Sequence, residues 1–139
     1  MTKDQMNDLL ADIISMYAAP HGRMAAKATK KTVLKLVTSS VEDTIENIPQ
    51  SSYETAKYAL FKCGTILEDD PVENTFSGII MAGSLNMNPA FVVVWADGIC
   101  IHIKASAKEG LIKQHTAEKA IAIFKSALLS SGDSCPHSV

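Results

Sequence analysis

Cysteine, aromatic residues and uninterrupted apolar runs are all scarce in this sequence. The three cysteines, Cys63, Cys100 and Cys135, are far apart and odd in number. That excludes a disulfide framework and fits a reducing, cytoplasmic setting. No apolar run approaches the roughly 18 residues of a transmembrane helix. Acids follow the N-terminus at helical spacing, where a secretory leader would be free of charge, so no signal peptide is expected. Aromatics make up 6% of the residues, few for a single-strand nucleic-acid platform built on stacking. Neither sign of charge dominates: the formal net charge is −2, which exerts no global pull on nucleic acid. No internal repeat and no long low-complexity stretch is present.

What remains is a chain of 139 residues, 47% hydrophobic and 20% charged. One domain is expected at this length. It buries roughly two thirds of the surface its unfolded chain exposes, so neither disulfide nor metal is needed for folding.

The first segment, Thr2 to Tyr17, predicts an amphipathic helix. Thr2 and Gln5 have capping-box spacing. Met6, Leu9, Leu10, Ile13, Ile14 and Tyr17 follow the i, i+3, i+4, i+7 template, with Asp4, Asp8 and Asp12 on the other side. Pro20 and Gly22 then break the helix. A helix this short is marginal alone, so its stripe must be buried somewhere. The acidic line argues against a membrane surface, which favours a basic polar face. The choices left are the chain's own sheet or a second subunit, and the stripe is the expected self-association element.

Residues 23–35 are basic, with Arg23, Lys27, Lys30, Lys31 and Lys35 and no acid. Residues 32–38 are β-branched and apolar and predict a strand. A helical reading stays open, because Leu34, Val37, Val41, Ile45 and Ile48 fit a 3.6 period nearly as well. Ser39 and Ser40 followed by Glu42 and Asp43 suit a helix N-cap with acids in the first turn, so a short helix is expected to run to about Ile48. Ser51 and Glu54 form a second capping box opening a helix through Cys63, with Tyr53, Ala56, Leu60 and Cys63 as its apolar face. Gly64 suits a left-handed C′ residue.

From Thr65 the period falls to two. Thr65–Leu67, Phe76–Ala82, Ala90–Ala96 and Ile99–Ala105 predict strands, with Asp97-Gly98 as a hairpin signal. Thr116 to Leu129 predicts the last helix, its face made by Ala117, Ala120, Ile121, Phe124, Ala127 and Leu128. The division expected is 1–22 helix and breaker, 23–130 one α+β domain, and 131–139 a flexible tail. The fold class is α+β: an antiparallel sheet of four to five strands in β-α-α-β-β-β-β-α order, a long C-terminal helix across one face, and an extra N-terminal helix. Over residues 32–130 this element order resembles a shortened helix-grip domain and the TATA-binding-protein-like folds. No family motif accompanies the resemblance, so it carries over no functional residue.

In the last strand Ile99, Ile101 and Ile103 share one face and Cys100, His102 and Lys104 the other, so the isoleucines are expected against the C-terminal helix. Phe91, Val93 and Trp95 oppose Val92 and Val94, a pattern expected where both faces are covered. The second cover is the N-terminal helix, a partner subunit or a small apolar ligand.

Chemical motifs are few. Cys100-Ile101-His102 and Cys135-Pro136-His137 share a Cys-x-His pattern, and on a strand two such side chains reach one face about 6.5 Å apart. That spacing is tighter than usual zinc spacings, and no metal or cofactor is expected. Cys100 with His102 lacks a group to orient the imidazole as a nucleophile's base. Cys63 ends a helix, which disfavours its thiolate. Glu68, Asp69, Asp70 and Glu73 crowd one turn but lack a calcium-loop pattern. Residues 42–73 hold eight acids against Lys57 and Lys62. Lys104, Lys108, Lys113, Lys119 and Lys125 surround the last helix, where Gly110 and the helix start at Thr116 offer donors to an anion. Leu85 and Met87 place apolar side chains in a loop. Together these features lean away from an enzyme. They favour a cytoplasmic module acting through protein contact, with a carrier or sensor of a small apolar ligand as the alternative.

Overall fold

The pairing of two distant segments, 37–45 and 100–109, organises the chain. The computed structural model describes residues 2–18, 37–46, 48, 52–86, 88–109 and 114–134. In chain order these form helix α1 (Lys3–Ala18), strand β1 (Val37–Ile45), helix α2 (Ser52–Cys63), strands β2 (Thr65–Asp70), β3 (Thr75–Ala82), β4 (Asn88–Asp97) and β5 (Cys100–Glu109), and helix α3 (Thr116–Ser134). A short 3₁₀ turn at Ser84–Asn86 joins β3 to β4. The strands make one antiparallel sheet in the order β1-β5-β4-β3-β2. The class is α+β with a C-terminal helix on one face, as the patterning implies. Among the described residues no helix is long and apolar enough to cross a membrane.

The helix expected after Ser40 is overturned. Residues 40–45 continue a strand rather than opening a helix. Val41 and Ile45 both pack on the core, and a spacing of four returns a side chain to one face in a helix and in a strand alike. The tie is broken by β5, which pairs with β1 in an unbroken register from Val37↔Glu109 to Ile45↔Ile101. Ser40, read as a cap, instead shares a 2.8 Å hydrogen bond with Ser106. Residues 32–36 lie outside the described residues.

Helix α1 starts as its sequence dictates. Gln5 N–H donates to Thr2 Oγ1 at 3.1 Å, and Thr2 N–H donates to Gln5 Oε1 at 2.8 Å, a reciprocal capping box. Helix α2 buries Ala56, Ala59 and Leu60. Its first residue, Ser52, donates a hydrogen bond to Gly98 O, pinning α2 to the β4–β5 turn. Ser51 lies outside the described residues.

Gly64 has another role than the one expected. Its φ is not left-handed; a Cβ there would stand 2.2 Å from Ile79 O, so glycine lets the α2–β2 junction press against β3. Gly98 does require positive φ, at +60°. It is the first of the two turn residues, since Asp97 pairs with Cys100. Positive φ at that position alone is the type II′ arrangement.

The main core lies between one sheet face and helices α2 and α3. Ile80, Val92, Val94, Ile101 and Ile103 meet Leu60, Ile121, Phe124 and Leu128 there. The isoleucine face of β5 therefore does meet the C-terminal helix, although Ile99, in the turn, is exposed. Helix α3 runs five residues past Leu129. Its N-terminus is capped from within: the Glu109 carboxylate accepts from Thr116 N–H at 2.9 Å and Gln114 N–H at 3.0 Å. Those amides are thus spent on an internal anion. Asn88 Nδ2 donates to Lys108 O and to Thr116 Oγ1, joining β4, β5 and α3. At the far side Lys125 Nζ donates to Asp43 at 2.7 Å, tying α3 to β1.

Two outcomes follow. Ile101 is fully buried, so Ile101→Asp places an unpaired charge in the core and abolishes cooperative folding, read by circular dichroism on heating. Asp43 has its carboxyl pKa lowered from 3.8, first by the Lys125 hydrogen bond and then by Thr44 N–H. Its contribution is complete above the unfolded pKa and lost as pH falls through the depressed folded value. Both groups are over one third exposed, so Asp43→Asn costs under about 1 kcal/mol at neutral pH. Paired denaturant melts will show that gap closing as pH drops below 3.8.

Candidate functional site

Antiparallel register sets out the second face of the sheet row by row. One row reads Thr44, His102, Trp95, Thr75, Asp70 from β1 to β2; the next reads Glu42, Lys104, Val93, Ser77, Glu68; the third reads Ser40, Ser106, Phe91, Ile79, Thr65. Helix α1 covers the middle of the third row, at Phe91 and Ile79. Leu10 is fully buried against Ile79 and Phe91, with Met6 and Leu9 partly buried beside Met81 and Val93. Asn7 accepts a hydrogen bond from Thr38 at 2.9 Å, which anchors α1 to β1. The front of the predicted stripe, Met6, Leu9 and Leu10, is therefore spent at least in part on the chain's own sheet. Ile13, Ile14 and Tyr17 are helical, but their side chains lie outside those described.

Below α1 the face is polar and aromatic. Trp95 is half-buried, less than its strand position implies. It lies beyond the Phe91 row that α1 covers, and its indole stacks on His102 with ring centroids 5.2 Å apart and planes at 17°. His102 Nδ1 hydrogen-bonds Thr44 Oγ1 at 3.0 Å. The imidazole is thus held by Thr44 and Trp95, and neither contact activates the Cys100 thiol. Cys135 and His137 lie outside the described residues. Cys63 is half-buried, and burial pushes its thiol pKa up to about 11, which suppresses the thiolate. Lys108 is buried, and burial lowers its ammonium pKa.

The predicted acidic turn divides. Glu68, Asp69 and Asp70 are strand residues, and the turn proper begins at Pro71. Asp69 pairs with Phe76 and serves α2: it accepts from Tyr53 Oη and faces Lys57 Nζ at 2.5 Å. Tyr53 in turn meets the Phe76 ring edge-on at 5.8 Å. Glu68 and Asp70 fall on the second face, where with Ser77 and Val93 they line an open hollow of about 430 Å³. The basic segment 23–35, Met87, Gly110 and Lys113 lie outside the described residues.

Periodicity alone misses a second surface on α2 and β2. Strand β2 is a sheet edge, and every residue but Ile66 is exposed. Its pairing with β3 shifts by a bulge between Ile66 and Glu68, and Leu67 at the bulge is 48% exposed. On α2, Phe61 is 69% and Tyr58 47% exposed. Tyr53, Lys57 and Phe61 are one turn apart along a single ridge, and the first two reach Asp69 on β2. Large aromatic side chains on the outer face of a helix otherwise amphipathic are the signal in the sequence that could have found it. Lys62 sits 5.5 Å from the Tyr58 ring and so marks the helix end as cationic.

Because Leu10 packs within one chain, Leu10→Ala is expected to cost about 2–5 kcal/mol. The loss should be the same at low and high protein concentration in urea titrations; a loss that grows on dilution would place Leu10 between subunits.

No protein-family model matches this chain, and no curated protein matches it.

Proposed function

We propose that this chain is a non-catalytic module, suited to a reducing cytoplasmic setting, that acts through protein–protein contact by self-association. The observation that supports this reading most directly is the clustering of Tyr58, Phe61 and Leu67, all exposed, on and beside an open sheet edge. Isolated apolar residues on a surface need no explanation, but neighbouring large ones beside a strand that is the sheet's edge among the described residues do. Edge strands are templates for another chain's strand. An apolar ligand between sheet and helices is less well supported, since Phe76, Ile80, Leu60 and Phe124 fill that space with their own side chains.

Light scattering on the full chain across a wide concentration range tests the reading. The expected result is a mass rising above the 14.9 kDa of one chain. A mass that stays at that value at every concentration refutes it.

A further inference from the structure

The outer face of α2 carries an acid, an aromatic pair and a base in an order that complements its own reverse. Resting on the reading above, we infer that two copies associate through this face. Helix α2 packs antiparallel on α2 of the other copy about a two-fold axis at Tyr58, with Glu54 of each copy paired to Lys62 of the other.

Helical spacing sets out the face. Ser52, Ala56, Ala59 and Leu60 are buried, so the opposite side of the helix turns outward. On that side Glu54, Tyr58, Phe61 and Lys62 are all exposed. Glu54 and Lys62 stand four residues before and after Tyr58, about 6 Å along the axis each way. These three form one ridge at i, i+4 spacing, and Lys57 and Phe61 form the next. Lys57 is committed to Asp69 within the chain. Among the described residues neither Glu54 nor Lys62 is in an ion pair.

Charge complementarity selects a second copy and its direction. In an antiparallel pair centred on Tyr58, Glu54 comes level with Lys62 of the other copy at both ends of the seam. In a parallel pair in register, acid would face acid and base would face base. A two-fold axis uses the same patch on both copies, which is the requirement for a closed dimer. Ridges at i, i+4 spacing enter each other's grooves when two helices cross at about −50°, the commonest packing class. The ridge of one copy then lies in the groove between the two ridges of the other, and Tyr58 meets Phe61 of the other copy. Aromatics fill the centre of the seam and opposite charges flank it, the arrangement in which buried anchors supply affinity and rim pairs fix orientation. The outer face of α3 offers less: among the described residues its one exposed large apolar side chain is Leu129, late in the helix.

Sedimentation of the full chain and of variants across a range of concentrations tests the inference. Phe61→Glu is expected to raise the dimer dissociation constant by about tenfold or more. Glu54→Lys and Lys62→Glu each turn two attractions into two repulsions, and each is expected to raise it by about threefold or more. An equimolar mixture of those two variants should recover association, because both facing pairs in the mixed dimer are again opposite in sign. Val72→Glu, at an exposed residue of the β2–β3 turn, should leave the constant unchanged. All of these alter exposed side chains, so circular dichroism melts at dilutions where each protein is monomeric should match the wild type's. A wild type that dimerises but is indifferent to Phe61→Glu overturns the α2 seam while leaving self-association standing. Charge reversals that have no effect, or whose loss is not recovered in the mixture, overturn the antiparallel pairing. A wild type that stays monomeric at every concentration overturns both this geometry and the reading it rests on.

Discussion

The antiparallel pairing of β1 with β5 is the constraint on which the rest of the molecule depends. It joins the first strand to the last, so the five-stranded sheet is complete only when a segment near residue 40 finds one near residue 105. Such closure between distant segments carries a loop-entropy cost that only the completed packing offsets. Once made, it aligns Thr44 with His102 and Glu42 with Lys104. It also presents Asp43 to Lys125 on α3. The far end of β5 then supplies Glu109, whose carboxylate caps the helix that covers the core.

The two faces of the sheet solve different problems. The first is dry and closed by α2 and α3, with Ile101, Ile103, Val92 and Phe124 fully buried. The second is divided. Phe91 and Ile79 lie under α1, while the rows beyond carry Trp95, His102, Lys104 and the carboxylates of β2. Leu10 shows why α1 stays in place: a short helix is held by the face it buries, not by its own propensity. Of the large apolar residues left exposed, Tyr58, Phe61 and Leu67 are on α2 and β2, while Val72, Leu85, Ile99 and Leu129 stand in turns or late in α3.

Most of the architecture was legible from pattern. The capping box at Thr2 and Gln5, the alternation through β3, β4 and β5, and the apolar face of α3 each express a single local rule, and the structure obeys it. Residues 40–45 did not yield, because Val41 and Ile45 at a spacing of four satisfy helix and strand alike and Ser40 offers a plausible cap. Gly64 was legible as a needed glycine, but its reason, the nearness of Ile79 O, belongs to another strand. The edge surface was half-legible: Phe61 and Tyr58 stand off the apolar face of α2, yet nothing in their spacing says that an open strand lies beside them.

By itself, the sequence determined the class of object. It set the number and type of nearly all elements, the isoleucine face of β5 as core, and an N-terminal helix that must be buried somewhere, because hydrophobic period and capping chemistry are local properties of the chain. Tertiary structure alone decided that β1 runs on through residues 40–45, that Leu10 is spent on the chain's own sheet, that Glu109 occupies the start of α3, and that β2 is an edge. Each of these depends on which distant backbone groups come within hydrogen-bonding reach, and no local pattern encodes that proximity.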